Sequence, residues 1–109
     1  MVTMSAVDDK DLISKIRRVI VSNWFEVSVM RTRVIRGLVL LSGKVNKQGE
    51  GAEKPKVIAG SLRKLDGELR AVRGVRSVSY DFENWVQLPS GAWRIRGQEE
   101  DEEFEKDES

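Results

Sequence analysis

Apolar residues recur at helical spacing in two stretches of the chain, residues 6–22 and residues 55–74. The first stretch places four aliphatic side chains on one helical face: Leu12, Ile16, Val19 and Ile20. The second places five on a narrow stripe: Ile58, Leu62, Leu65, Leu69 and Val72. Pro55 suits the first turn of this second helix, and Gly74 is expected to end it as its C-cap. Each predicted helix therefore needs a second layer that covers its apolar stripe.

Three further stretches predict β-strands. Residues 26–34 alternate and are rich in β-branched side chains, although Arg31 and Arg33 leave the inward register of this strand open. A short turn leads to residues 38–45, so these two strands should pair antiparallel. Because residues 38–45 begin apolar on both faces, we expect something to cover each face there. The third strand, residues 75–82, buries three large side chains on one side: Val78, Tyr80 and Phe82.

The predicted order is helix, strand, strand, helix, strand. Two one-sided helices and three strands are packed most economically as an α+β fold, a three-stranded mixed sheet with two helices on one face. We assign residues 5–83 to this domain and residues 84–97 to a short C-terminal extension. In the extension, residues 85–88 and 92–95 can pair as a hairpin. Core packing is the expected role of three aromatic residues, Trp24, Phe25 and Trp85, while the role of Trp93 stays open.

Composition excludes much catalytic chemistry. The 109 residues contain no cysteine and no histidine, which rules out thiol nucleophiles, imidazole bases, disulfides and thiolate or imidazole metal ligands. The two closest helical carboxylates, Asp66 and Glu68, are separated by about 200° around the helix and cannot cooperate. The sequence contains no P-loop, dinucleotide fingerprint or nucleophile elbow. We therefore expect a protein that is not an enzyme, with no catalytic residues, no metal site and no cofactor.

Charge is distributed unevenly along the chain. Residues 1–97 carry 18 basic and 10 acidic side chains, a net charge of +8, whereas residues 98–109 carry one lysine and eight carboxylates, a net charge of −7. The acidic segment contains one large apolar residue, Phe104, so we expect a disordered tail. Such a tail either keeps the protein soluble or lies over the basic body and competes with an anionic partner.

Two motifs resemble the BON domain family of small bacterial α-β-β-α-β modules. Residues 37–45, Gly-Leu-Val-Leu-Leu-Ser-Gly-Lys-Val, look like the family's glycine-initiated second strand. Residues 71–78, Ala-Val-Arg-Gly-Val-Arg-Ser-Val, look like its Val-x-Gly-Val-x-x-Val helix end. The resemblance covers about residues 8–83, and residues 46–54 form a longer loop than is usual in the family. It implies a non-enzymatic binding role at phospholipid or protein surfaces, with no agreed binding residues to transfer.

Two surfaces of the predicted fold could bind a partner. On the second helix, glycines opposite the apolar stripe leave a smooth strip with a basic border; its residues are Lys56, Gly60, Arg63, Lys64, Gly67 and Arg70. On the first strand, Arg31 and Arg33 share one side, and Arg36 stands near the turn. If that side faces away from the helices, it forms a cationic patch. The alternative for both surfaces is an ordinary solvated face.

We predict a non-catalytic adaptor whose basic surface contacts an anionic phospholipid membrane or a protein partner. A nucleic-acid partner ranks second, because the chain lacks the Gly-x-x-Gly loop of KH domains and the paired aromatic residues of RRM sheets. A self-associating structural module is the third alternative, and no small-molecule substrate is inferred. The chain starts without a signal peptide pattern and has no apolar run of about 20 residues, so we expect a cytoplasmic location with membrane association as an open alternative.

Overall fold

The computed structural model describes residues 4–49, 51–52 and 54–97 of the chain. Two helices are present in this part, α1 (Met4–Ser22) and α2 (Pro55–Arg70). There are five strands: β1 (Met30–Ile35), β2 (Leu38–Gly43), β3 (Ser77–Phe82), β4 (Trp85–Gln87) and β5 (Trp93–Ile95). The tail predicted at residues 98–109 lies outside the described residues.

The main sheet has the order β1-β2-β3, with β1 and β2 antiparallel and β2 and β3 parallel. Helix α1 packs on β1, and α2 packs on β3 and on the second hairpin strand β5. Both helices cover the same face, which confirms the predicted α+β architecture of a three-stranded mixed sheet with two helices on one side. The predicted hairpin is also present, since β4 pairs antiparallel with β5.

The core lies between the helices and the covered sheet face. As predicted, the apolar stripes of the helices supply its centre: Leu12, Ile16 and Ile20 from α1, and Leu62, Leu65 and Leu69 from α2. The sheet contributes its own inward residues: Met30, Val39, Leu41, Val78 and Phe82. The predicted core positions Phe25 and Trp85 are buried, and Trp93 is fully buried beside the ring of Tyr80. The hairpin therefore closes one end of the same core.

A single side chain ties the hairpin to the sheet. Asn84 accepts a hydrogen bond from the backbone N–H of Val45 at 3.0 Å and donates one to the carbonyl of Val45 at 2.9 Å. The amide thus takes the place of a neighbouring strand at the residues that follow β2, where backbone groups need partners. It positions the hairpin against the end of the sheet that carries Gly43 and Phe82.

Two predicted element boundaries are wrong. The first strand begins at Met30 and not at residue 26, because residues 27–29 form a 3₁₀ turn. In that turn, the backbone of Glu26 donates to Asn46, and the carbonyl of Val29 accepts from Lys44. Helix α2 ends at Arg70 and not at Gly74; Gly74 has a φ of +100° but serves the turn that follows the helix.

The prediction that Trp24 packs in the core is also wrong. Trp24 is 65% exposed, whereas the next residue, Phe25, is buried. The backbone of Trp24 has a φ of +68°, the left-handed conformation that often ends a helix. This conformation reverses the chain direction after α1 and turns the indole outward, so residue pattern alone could not place it.

Within the residues that the structure describes, no helical segment has both the length and the hydropathy that a membrane crossing requires.

Candidate docking surface

One face of the main sheet carries no helix. Its nine strand positions, here called the open face, are Arg31, Arg33 and Ile35 on β1, Leu38, Leu40 and Ser42 on β2, and Ser77, Ser79 and Asp81 on β3. Side chains alternate across a strand, so these residues point away from the positions that fill the core. The pairing register aligns them in three rows of three across the sheet.

The row nearest the β1–β2 turn is apolar. Ile35 and Leu38 are direct Cα partners in the antiparallel pair, and they are 56% and 50% exposed. Leu40, two residues further along β2, is half-buried. The expectation that both faces of this strand are covered is therefore wrong, because both helices lie on the opposite face and the hairpin packs against α2. Contiguous exposed aliphatic residues on a sheet are a common mark of a binding surface.

Arginines occupy the rest of β1 on this face. Arg33 lies beside Leu40 and Arg31 lies beside Ser42, and both guanidinium groups are on exposed side chains. The condition set for a cationic patch is thus met, since this side of β1 faces away from the helices. The predicted residue Arg36 lies in the turn itself, with a φ of +52°, and its backbone N–H donates to the Asp9 carboxylate at 3.3 Å.

The opposite end of the open face leads into a shallow cleft of about 750 Å³. Three cationic side chains line it, Arg31, Lys44 and Arg96, together with two carboxylates, Asp81 and Glu83. The open face therefore has two chemically distinct ends, an apolar end beside Arg33 and a mixed-charge end at the cleft.

Hydrogen bonds hold Arg96 at this cleft. Its Nε donates to the carbonyl of Phe82 at 3.0 Å, and its backbone N–H donates to the carbonyl of Asn84 at 3.0 Å. Both acceptors lie at the end of β3, so the last described residue, Gly97, is held beside the cleft. Because guanidinium groups bind carboxylates through paired donors, Arg31 and Arg96 are the strongest anion-binding groups in this region.

The second predicted surface, on α2, faces solvent. A Cβ added at Gly60 or Gly67 would meet nothing within 4 Å, so the strip is open. Its basic border is partly engaged: Arg70 donates to Asp66 at 3.0 Å and to the carbonyl of Val78 at 3.3 Å, and Lys64 is 3.9 Å from Glu68. The remaining predicted residues, Lys56 and Arg63, are also exposed on α2. Binding by this strip stays a prediction.

The most perturbed titratable group belongs to the core. The Tyr80 hydroxyl donates to Asp66 Oδ1 at 2.6 Å, between α2 and β3. Burial, followed by this hydrogen bond to the carboxylate, raises the pKa of the Tyr80 phenol above its usual range. Asp66 also accepts two hydrogen bonds from Arg70 Nε, so this carboxylate is engaged in holding the helix to the sheet.

Comparison of the chain with protein-family models, with curated proteins and with solved structures finds no match.

Sequence reasoning identified the arginines of the open face but missed its aliphatic residues, Ile35 and Leu38. A signal for them was present, because the same alternation that joins Arg31 to Arg33 continues to Ile35. It also missed the cleft residues Lys44 and Arg96, which are distant in sequence and meet only through the pairing of β2 with β3 and the return of the hairpin.

Proposed function

We propose that this protein is a non-catalytic adaptor, similar to BON domains, whose open face binds an acidic segment of a partner protein that also carries an apolar side chain. The observation that carries the proposal is the helix-free sheet face, on which Ile35 and Leu38 are exposed side by side next to Arg33 and Arg31. Such a face offers aliphatic contact and guanidinium donors within one short stretch.

The dimensions of the face support a single polypeptide segment as the ligand. Three strands spaced by about 4.8 Å and six residues of about 3.3 Å each give a surface roughly 10 Å wide and 17 Å long. One helix or one extended segment covers that area, as in other grooves that bind short peptides. The apolar end takes the hydrophobic anchor, and the arginines take the carboxylates.

The charge pattern favours a protein over a membrane or a nucleic acid. The cleft end holds Asp81 and Glu83 next to its cations. A plane of anionic headgroups or a run of phosphates would meet these carboxylates and be repelled, whereas a polypeptide of mixed charge can place a cation opposite them. Anionic phospholipid and nucleic acid are accordingly competing outcomes of the test.

The test uses the full chain and three probes. These are a peptide of about 12 residues made of Glu and Ser with one central Leu, a length that spans the face, vesicles that contain phosphatidylglycerol, and a single-stranded oligonucleotide. We expect the peptide to shift the amide resonances of β1 and β2 and to bind at least about tenfold more weakly to Arg33→Glu, since close interfacial charge pairs contribute more than about 1.4 kcal/mol.

The matched control is Arg17→Glu on the exposed side of α1, which makes the same charge change on the helix-covered side of the sheet. It should leave peptide affinity within about twofold. Peptide binding that falls equally in both variants would reduce the effect to net charge and overturn the assignment. Vesicle or oligonucleotide binding without peptide binding would overturn the choice of partner.

A further inference from the structure

The chain itself contains a segment with the chemistry that the open face accepts. Residues 98–109 hold eight carboxylates, one lysine and a single large apolar residue, Phe104. Their net charge of −7 opposes the +8 of residues 1–97. Acidic character combined with one hydrophobic side chain is the pattern proposed above for a partner, so the tail and a partner would bind through the same groups.

The end of the described chain directs this segment to the open face. Arg96 is held at the cleft by its bonds to the carbonyls of Phe82 and Asn84, so residue 98 follows directly beside Arg31 and Lys44. Carboxylates begin at the next residue, Glu99. The first acidic residues of the segment are therefore within reach of the cationic end of the face.

The length of the segment matches the distance to the apolar end. The seven residues from 97 to 104 span at most about 24 Å when extended. The face is about 17 Å long, so Phe104 can reach Ile35 and Leu38 at its far end with slack for the turn out of the hairpin. Residues 99–103, five consecutive carboxylates, would then pass Arg31 and Arg33.

We infer that residues 98–109 occupy the open face of the same chain, with the carboxylates of residues 99–103 at Arg31 and Arg33 and with Phe104 against Ile35 and Leu38. The segment then acts as an internal competitor, and a partner must displace it. The competition rests on the proposed function of the open face, whereas the contact itself requires no partner.

A weak contact is sufficient for this role. A segment tethered next to its site has an effective concentration on the order of 1 mM. An intrinsic dissociation constant of about 0.1 mM would keep the face about nine-tenths occupied and weaken an external ligand about tenfold. Because the contact joins exposed charges, it should weaken as the ionic strength rises.

The contact can be measured within the intact chain. The sequence has no cysteine, so Ser109→Cys accepts a single nitroxide label without competing sites. We expect the label to broaden the amide resonances of β1 and β2 at low salt and to leave those on the exposed side of α1 sharp. High salt should restore the β1 and β2 signals.

Two charge reversals in the labelled chain separate the open face from net charge. Arg33→Glu should remove most of the broadening, whereas Arg17→Glu should retain it. The inference is overturned if the amides of β1 and β2 stay sharp at low salt, or if both reversals have the same effect. The resonances of the core report in the same spectra that each variant is folded.

A second measurement tests the competition. Glutamine at positions 99, 100, 102 and 103 lowers the charge of the segment from −7 to −3 within the full chain. The Glu/Ser/Leu peptide should bind this variant about tenfold more tightly than the unmodified chain. Equal affinity for both chains overturns the competition.

The two proposals fail in different ways. If the label shows the contact but the peptide does not bind the glutamine variant, the proposed partner class is wrong and the intramolecular contact stands. If the peptide binds both chains equally and the label shows no contact, the internal competitor is wrong and the docking function stands.

Discussion

Replacement of Tyr80 by phenylalanine tests the electrostatic link between helix and sheet. The substitution removes one hydroxyl and keeps the ring, which packs 4.8 Å from Trp93 and 5.6 Å from Phe82 between centroids. The lost interaction is the 2.6 Å hydrogen bond to Asp66 Oδ1. Its effect on the free energy of unfolding can therefore be separated from aromatic packing.

The expected loss at neutral pH is about 1.5 kcal/mol. A hydrogen bond to a charged group contributes about 1.5–3 kcal/mol to stability. Asp66 retains two hydrogen bonds from Arg70 Nε, and its side chain is 19% exposed, so water and Arg70 compensate part of the loss. The lower end of the range is therefore the appropriate value.

The pH dependence has a definite sign. The pKa of Tyr80 is raised in the folded protein above the value of about 10 that tyrosine has when unfolded. The stabilisation is fully present below pH ~10 and is lost as the pH rises, because only the unfolded chain releases the phenolic proton there. The slope is about 1.4 kcal/mol per pH unit, so by pH ~11 the parent chain has lost about 1.4 kcal/mol relative to Tyr80→Phe.

Urea unfolding followed by tryptophan fluorescence measures this difference at several pH values for both chains. Lysine titration affects both equally, so Tyr80→Phe is its own control. The chain has one tyrosine, and phenolate absorbance therefore reports its ionisation directly in folded and unfolded protein. A stability difference that stays constant from neutral pH to pH ~11, or folded protein whose tyrosine ionises near pH ~10, would refute the reasoning.

Two further predictions concern stability. The buried Oγ1 of Thr32 has no hydrogen-bond partner, so Thr32→Val should raise the free energy of unfolding by about 1 kcal/mol in urea titrations; a loss would mean that the hydroxyl is satisfied. Gly37 has a φ of +83°, and an added Cβ would lie 2.7 Å from the Gly74 carbonyl, so Gly37→Ala should lower the melting temperature and cost about 2 kcal/mol. Gly60→Ala, in open space on α2, should instead gain about 0.5–1 kcal/mol, and equal effects at both glycines would contradict this account.

Local periodicity was sufficient to predict the elements and their buried faces. The spacing of Leu12, Ile16 and Ile20 identified the inner side of α1, and the alternation of Val78 and Phe82 identified the inner side of β3. Both signals arise from the geometry of a single element, in which each residue's direction is set by its position along the chain. The hairpin was predicted for the same reason, since its two strands are joined by a short turn.

Tertiary structure decided everything that depends on two distant segments. Whether Arg31, Ile35 and Leu38 are exposed depended on which face the helices cover, and no pattern within β1 or β2 contains that information. The cleft required Arg96 to return beside Lys44 through the hairpin. Trp24 was exposed by one backbone angle that compact packing imposes after α1. The sequence thus determined which residues could be buried, whereas the packing of helices, sheet and hairpin determined which of the remaining residues form one surface, because burial is shared between segments and cannot be assigned to one of them alone.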